Sequence, residues 1–353
     1  MKSLFIILLL LNVGLYNTAN GINYVVSSVK EDTSKIEILM KKGSKYIGKQ
    51  PDSAAFYFRN ALSLSQKNQN IKKEAAIYQE IGTLQRSQGN YDTAKIHFAR
   101  ALELYRTLND SVGIAEAKNN IGTVLFFQGN FQEALKYYHD AIKLFEKQGN
   151  QKGIADCNNN IGLIHWRQKN YDLAEKYQKE AAEDYKKLDN KTRQGYTYNN
   201  LGVIYGEQGD YRKALDYYKK AANIFEELNL MQFAKSSYQN IGIVYKNLGY
   251  YQNAMDYYNK ALKISRQLKD KRLVATTLGN ISELYEVMAD SAEGSTDQRI
   301  NYLNKAIENG ENALSLAEKI GALPLVASNA ESLIQVHKKS NNTQRALEVA
   351  EIY

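Results

Sequence analysis

The sequence predicts an all-α repeat fold, and three observations support this prediction. The 353-residue chain has only two prolines and is rich in helix-forming Ala, Leu, Lys, Glu and Gln. An Ile-Gly or Leu-Gly pair recurs every forty residues, beginning with Ile81-Gly82. Gly-Asn-Tyr or a close variant follows each pair and separates two stretches with helical periodicity. Because one helical hairpin cannot bury its apolar face alone, we expect the hairpins to stack.

The first 21 residues differ from the rest of the chain because a basic residue is followed by a long apolar run. Lys2 precedes the run LFIILLLLNVGLY, and the small residues Ala19 and Gly21 follow it. This is the pattern of a secretory signal peptide, with cleavage after Gly21 and Ala19 as the alternative site. We therefore predict a signal peptide at 1–21, a linker at 22–32, and an exported chain that is periplasmic or extracytoplasmic.

Each forty-residue unit is predicted to be an antiparallel helical hairpin. After Gly122, for example, Ala134, Tyr138 and Ala141 share one helix face, and the small residues let two helices approach closely. The Gly of Gly-Asn-Tyr ends the first helix, and we expect the Asn or Asp after it to cap the second. The predicted units lie near 33–72, 73–112, 113–152, 153–192, 193–232, 233–272, 273–324 and 325–353. The seventh unit contains an insert at 289–300 that we expect to lengthen its turn, and the eighth is partial.

This order of residues resembles the tetratricopeptide repeat in its forty-residue form. The resemblance covers residues 33–353, and it departs from the pattern at Lys169, where other units have Gly, and at Gln178, where they have an aromatic residue. It implies a right-handed superhelical solenoid of about seven full repeats and a partial one, whose first helices line a concave groove. The chain is also similar to the extracytoplasmic repeat regions of bacterial sensor histidine kinases and transcriptional regulators.

Asparagines recur on the first helix of successive repeats, two and three residues before the recurring Gly. An amide both donates and accepts hydrogen bonds, so a row of amides suits the backbone of an extended peptide. The resemblance implies that the position two before the Gly points into the groove. The predicted groove residues are Asn119, Asn120, Asn159, Asn160, Asn199, Asn200, Asn240 and Asn280, with Phe126, Phe127, Leu163, Trp166, Val203 and Ile243 as apolar anchors. Two alternatives stay open: the amides bond the neighbouring repeat, and Phe126 and Trp166 belong to the core.

The sequence lacks the motifs of an enzyme or a metalloprotein. It contains no phosphate-binding glycine loop, no zinc-ligand spacing and no nucleophile motif. His97, His165 and His337 fall in positions that are aromatic in other repeats, and the single cysteine, Cys157, falls in a position for small residues. We expect no catalysis, no cofactor and no metal. The net charge of +8 is spread over helix faces of mixed sign, which argues against nucleic-acid binding.

The predicted function is protein interaction, in which an exported module binds a peptide or protein segment as the sensory part of a signalling protein. The sequence ends at ALEVAEIY, inside a predicted helix and without a polar capping helix. We therefore expect either a longer parent protein, with any membrane segment beyond Tyr353, or a partner on that face. The alternatives are a scaffold that joins envelope proteins and a cytoplasmic peptide-pheromone receptor that retains residues 1–21. The identity of the ligand and pairing with a second copy stay open.

Overall fold

A computed structural model of the chain describes residues 32–292 and 296–352. The predicted signal peptide and almost all of the predicted linker lie outside these residues. The described residues form sixteen α-helices and no strand. The helices are α1 (32–46), α2 (Pro51–Lys67), α3 (Ile71–Ser87), α4 (Tyr91–Thr107), α5 (Ser111–Phe127), α6 (Phe131–Lys147), α7 (Gln151–Arg167), α8 (Tyr171–Lys187), α9 (Lys191–Glu207), α10 (Tyr211–Glu227), α11 (Met231–Asn247), α12 (Tyr251–Gln267), α13 (Lys271–Asp290), α14 (Thr296–Lys319), α15 (Leu323–Lys339) and α16 (Thr343–Ile352).

Short turns of nearly constant form join the helices from α2 to α13. The middle residue of each turn has a positive φ, and these residues recur every twenty positions, as at Gly129 (φ 79°) and Gly149 (φ 65°). After α5, the backbone N–H of Gly129 donates to the carbonyl of Phe126 and that of Asn130 donates to the carbonyl of Leu125. These bonds satisfy carbonyl groups at the helix end, and the left-handed residue turns the chain into the next helix. Of the described helices, none combines the length and apolarity needed to cross a membrane.

The asparagines inside the hairpins do not cap the second helix as we expected. Within the described turns, the side chains of Asn90, Asn130 and Asn170 accept no capping hydrogen bond, whereas Asp210 accepts one from the N–H of Lys213. Side-chain caps instead recur at the turns between repeats. Asp110, for example, accepts from the N–H of Gly113 at 3.0 Å and so satisfies an N–H group at the start of α5.

Each regular hairpin is held by a contact between a first-helix Gly and a second-helix ring. A Cβ atom on Gly122 would lie 2.8 Å from Cε1 of Tyr138, and one on Gly202 would lie 2.6 Å from Cδ1 of Tyr218. Both rings are buried. The contact explains why Gly and the aromatic residue recur together sixteen positions apart: no side chain larger than hydrogen leaves room for the ring.

The described residues form two compact units, with the boundary inside α7 after Ile164. The core of the first unit includes Phe58 and Ile77, which are fully buried. The core of the second unit includes Leu201 and Ile241 among rows of alanines and tyrosines. Each unit therefore has its own apolar core between first and second helices.

The seventh repeat differs from our expectation of a longer turn, because most of its insert extends the two helices. α13 has 20 residues and α14 has 24, against 17 for the helices of the sixth repeat. The added helix is stabilised by burial, since Ala289 and Leu303 pack with Val336 of α15 in one apolar cluster. The insert therefore contributes to the packing of the last repeats.

Candidate functional site

In the first unit, the recurring amides bond to one another across neighbouring first helices. Nδ2 of Asn120 on α5 donates to Oε1 of Gln79 on α3 at 2.6 Å. Nδ2 of Asn160 on α7 donates to Oδ1 of Asn119 on α5 at 3.3 Å, and Asn159 donates to Oδ1 of Asn160 at 3.3 Å. The Asn120–Gln79 and Asn160–Asn119 bonds join successive repeats, which is the stacking role that the sequence left open, whereas the Asn159–Asn160 bond lies within α7.

The second unit repeats this arrangement between α9 and α11. Oδ1 of Asn199 accepts from Nδ2 of Asn240 at 3.4 Å and from Oγ of Ser237 at 3.3 Å. Asn200 donates to Oε1 of Gln178 on α8 at 3.4 Å. Gln178 is fully buried at a position that is aromatic in other repeats. The Asn200 bond shows how this polar residue is accommodated in the core.

At some junctions a small polar side chain on the following helix completes the contact. Sγ of Cys157 lies 3.4 Å from Oδ1 of Asn119, and Nε2 of Gln239 donates to Oγ1 of Thr277 at 3.0 Å. Cys157 is fully buried, and this burial raises the pKa of its thiol. Its position matches a packing role and leaves the thiol protonated at neutral pH.

The predicted anchors of the first unit lie at different depths. Phe127 is 52% exposed and stacks on Tyr91 with ring centroids 5.4 Å apart. Phe126 is half-buried, with its ring 5.9 Å from that of Phe131 at the next helix start. Leu163 is half-buried on α7. Phe127 therefore presents the largest apolar surface of the three.

The predicted anchors of the second unit also divide into packed and accessible residues. Val203 packs against the core of that unit, whereas Ile243 is 37% exposed. Trp166 is half-buried, and its Nε1 atom is buried with no hydrogen-bond partner among the described residues. Of these three, Ile243 has the apolar surface most accessible to a ligand.

A cavity of about 410 Å³ opens between α13 and α15, which are both first helices of the second unit. Asn280, one of the predicted groove residues, lines this cavity. It is half-buried, and its side chain forms no hydrogen bond with any residue that the structure describes. Asn280 therefore differs from Asn120, Asn160 and Asn240, because its amide is not used in stacking.

Two further polar groups in this cavity have no hydrogen-bond partner among the residues that the structure describes. Asn329 is only 6% exposed, and its Nδ2 atom makes no hydrogen bond within residues 32–292 and 296–352. The same is true of Oγ of Ser332 one turn along α15. Neither residue was among the predicted groove residues. Once the twelve extra residues of the seventh repeat are subtracted, Asn329 aligns with Thr277 and Ser332 with Asn280.

Three carboxylates also line the cavity. Glu283 lies 2.6 Å from Nζ of Lys246, and Glu286 lies 2.7 Å from Nζ of Lys339. Glu331 is exposed and has no ion pair in the described part of the chain. The lining contains no basic residue, so the cavity presents acidic groups and unpaired amides.

The histidines keep the aromatic positions that the sequence indicated. His165 stacks on Tyr177 at 5.6 Å, much as Tyr205 stacks on Tyr217 at 5.4 Å in the next repeat. His337 is buried on α15. Where the structure describes the chain, no group of three or more His, Cys, Asp or Glu side chains could hold a metal ion.

Comparison with known sequence families identifies the repeat. A family model described as a tetratricopeptide repeat matches residues 73–147, 113–187 and 153–227. A second tetratricopeptide repeat model matches residues 236–268. No curated protein matches the chain at a significant level.

Solved structures show the same fold at low sequence identity. A signal transduction ATPase with numerous domains and a tetratricopeptide repeat sensor, from Pyrococcus horikoshii, aligns with a TM-score of 0.68 and 17% identity over 90% of this chain and 45% of that one. The quorum sensor NprR from B. thuringiensis aligns with a TM-score of 0.63 and 12% identity over 91% and 86%. A Rap protein complexed with Competence and Sporulation Factor aligns with a TM-score of 0.54 and 17% identity over 88% and 99%. At these identities, the similarity establishes the fold.

Proposed function

Because the chain belongs to the tetratricopeptide repeat family, we propose that it is an interaction module that binds a peptide or protein segment along the first helices of its repeats. Tetratricopeptide repeats are protein-interaction modules, and stacked helical repeats in general present extended surfaces to partners. The observation that carries the proposal is the amide of Asn280, which lies at the α13–α15 cavity and makes no hydrogen bond to any described residue. Such an amide can bond both the N–H and the C=O of an extended segment.

We infer a smaller binding surface than the full set of predicted groove residues. In each unit, most of the recurring amides already bond a neighbouring side chain. They can therefore form fewer hydrogen bonds with a ligand than a row of unbonded amides could. We place the main polar contacts at Asn280 and the apolar contacts at accessible residues such as Phe127 and Ile243, each within its own unit. Asn120 and Asn240 remain secondary candidates, since each uses only its Nδ2 donor in stacking.

Binding can be tested by mass spectrometry of the peptides and proteins that co-purify with the full chain, followed by affinity measurements on variants. We expect Asn280→Ala to weaken capture of the partner about tenfold, the factor that corresponds to ~1.4 kcal/mol. Asn253→Ala, an exposed amide on the second helix α12, is the matched control and should leave capture unchanged. Equal capture by both variants, or no partner under broad screening, would contradict the proposal.

We also propose that the chain is exported and acts as the sensory part of a signalling protein. The support for export is the pattern of residues 1–21, and the support for a sensory role is the similarity of fold to a repeat sensor and to the quorum sensor NprR. The N-terminus of the protein purified from its native cell tests export. A start at Ile22 or Asn20 is expected, whereas retention of residues 1–21 would favour the cytoplasmic receptor.

The scaffold alternative predicts a different binding surface. A scaffold that joins envelope proteins through its second helices and edges would lose its partners when those faces are changed and would tolerate Asn280→Ala. The comparison of Asn280→Ala with Asn253→Ala therefore separates groove binding from scaffolding.

A further inference from the structure

The amide contact between repeats is reversed between α13 and α15. At the preceding junction, the long side chain of Gln239 on α11 meets the small Thr277 on α13. The corresponding positions at the next junction hold Gly279 on α13 and Asn329 on α15, so the small residue now comes first. A Cβ atom on Gly279 would lie 2.6 Å from Oδ1 of Asn329, so the Asn329 amide packs directly against the α13 backbone.

This reversal leaves unpaired polar groups in the cavity. Gly279 has no side chain to accept a hydrogen bond, so Nδ2 of Asn329 has no acceptor among the described residues although the side chain is 6% exposed. Oγ of Ser332 is also buried, and no described residue bonds it. Buried donors without acceptors are unfavourable, and an acceptor brought by a ligand would satisfy them. The carbonyl oxygen of a peptide is such an acceptor.

The acidic lining favours a ligand with a positive charge. Glu283 and Glu286 each pair with one lysine that lies outside the cavity lining, which reduces their charge without removing their remaining acceptor sites. Glu331 is unpaired among the residues described. A cationic group beside these carboxylates would gain charge-assisted hydrogen bonds, whereas an anionic group would be repelled.

We propose that the α13–α15 cavity is a specificity pocket for a basic residue, arginine or lysine, of the bound segment; this inference rests on the proposed function. The carbonyl group of that residue accepts from Asn329 and Ser332, and its side-chain cation lies among Glu283, Glu286 and Glu331. The volume of about 410 Å³ is within the range of about 300–1,000 Å³ found for ligand pockets. Arginine offers five N–H donors in a planar arrangement and can bond two carboxylates at once.

A small probe tests the pocket directly. N-acetyl-arginine N-methylamide carries both the carbonyl groups and the cation, and N-acetyl-citrulline N-methylamide has nearly the same shape without the charge. Ligand-observed NMR with the full chain should show binding of the arginine probe at least about tenfold stronger than binding of the citrulline probe. Equal binding of the two probes, or no binding of the arginine probe at millimolar concentration, would overturn the inference.

Two variants locate the binding in this cavity. Glu331→Gln removes the unpaired carboxylate and should weaken the arginine probe about tenfold. Glu183→Gln, which changes an exposed carboxylate on α8, should have no effect. The double variant Gly279→Asn with Asn329→Thr recreates the order of the Gln239–Thr277 contact and removes the Asn329 donor from the cavity, so it should abolish binding. Circular dichroism checks its fold, and retained probe binding by a folded double variant would contradict the proposal.

An array of random peptides separates this inference from the proposed function. Enrichment of Arg or Lys at one position, lost in the double variant, supports both. Peptide binding without a basic preference overturns the pocket and leaves the proposed function intact. Binding of the arginine probe in the absence of any peptide binding supports the pocket and overturns the proposed function.

Discussion

The α11–α13 and α13–α15 junctions each pair an amide side chain with a small residue, but in reverse order. The amide lies on the earlier helix at the first junction and on the later helix at the second. At the first junction, the amide of Gln239 finds a hydroxyl partner in Thr277. At the second, the amide of Asn329 faces a glycine and its Nδ2 donor has no partner in the described chain. Only the first junction satisfies the hydrogen bond of its amide, and a cavity opens at the second. The difference shows that exchanging the amide and the small residue between two helices can remove the hydrogen bond that joins them.

The same kind of exchange occurs inside the seventh hairpin. In the sixth repeat, Gly242 lies under the ring of Tyr258. In the seventh, the corresponding positions hold Ser282 and Gly310, and Oγ of Ser282 donates to the carbonyl of Ala306 at 2.7 Å. A repeat with both exchanges packs differently from its neighbours. This is the repeat that provides the α13 wall of the cavity.

The largest expected effect is overpacking of a regular repeat. A Cβ atom on Gly242 would lie 2.5 Å from Cε1 of the fully buried Tyr258 ring, so Gly242→Ala should destabilise the protein by about 3 kcal/mol. Gly279→Ala should cost less than about 1 kcal/mol, because Asn329 borders the cavity and has room to move. Urea unfolding followed by circular dichroism measures both. Equal losses would show that the Gly242–Tyr258 contact and the Gly279–Asn329 contact are equally rigid.

The next largest effect is expected for an amide that bonds the neighbouring repeat, compared with an amide that does not. Asn199→Ala removes the acceptor of both Ser237 and Asn240 and should destabilise the α9–α11 junction by about 2 kcal/mol. Asn280→Ala removes no protein hydrogen bond within the described residues and should change stability by less than about 0.5 kcal/mol. Hydrogen exchange of the α11 amides should rise in the first variant alone. A similar rise in both would mean that Asn280 also stabilises the stack.

A smaller effect on stability is expected from the left-handed backbone conformation of Lys169. Lys169 has a φ of 60° at a turn where the neighbouring hairpins have Gly129 and Gly209. The left-handed conformation strains residues with a Cβ atom, so Lys169→Gly should stabilise the protein by about 1 kcal/mol. Gly129→Lys should destabilise the protein by a similar amount. Thermal unfolding measures both changes, and a loss of stability in Lys169→Gly would assign the lysine side chain a contact of its own.

The smallest effect depends on pH. Burial lowers the pKa of His337 below the ordinary value of 6.5; nearby Glu311 and Glu348 oppose this shift, and Arg345 reinforces it. Both ring nitrogens are buried and lack partners among the described residues. Well above pH 6.5 the ring is neutral in both the folded and the unfolded states. Below it, the unfolded chain takes up the proton first, so this residue's contribution to stability falls as the pH falls.

His337→Tyr tests this sign. Tyrosine occupies the corresponding position at Tyr205 and Tyr245, so the variant keeps an aromatic ring and removes the titration. Its stability should decrease less than that of the parent chain between pH 7 and pH 5, as measured by urea midpoints. An unchanged pH dependence would show that His337 binds its proton equally in both states.

The regular part of the fold could be predicted because one physical rule repeats. The Gly–ring contact needs a fixed spacing, and it appears in the sequence as Gly122 with Tyr138 and as Gly202 with Tyr218. The helix caps could not be assigned in the same way. Asn130 and Asp110 occupy the same place in their turns, directly before a helix, but only Asp110 accepts a capping hydrogen bond.

The candidate site was less predictable. The row of asparagines was visible, but whether an amide such as Asn240 bonds a ligand or Asn199 depends on the distance between two helices. The pairing of Gly279 with Asn329 was hidden by the insert, which moves the eighth repeat out of the forty-residue spacing by twelve positions. The insert was expected to form a turn because it is mostly polar, and its first residue, Ala289, is nevertheless buried.

The residues with positive φ that recur every twenty positions between 69 and 269 have an evolutionary consequence. Every helix between two of them begins and ends in the same backbone state, so the ends of one hairpin are interchangeable with the ends of another. Unequal recombination between two copies therefore adds or deletes a whole hairpin and leaves an ordinary turn at the point of joining. The length of this protein can change by forty residues in one genetic step while each remaining helix keeps its start and its stop.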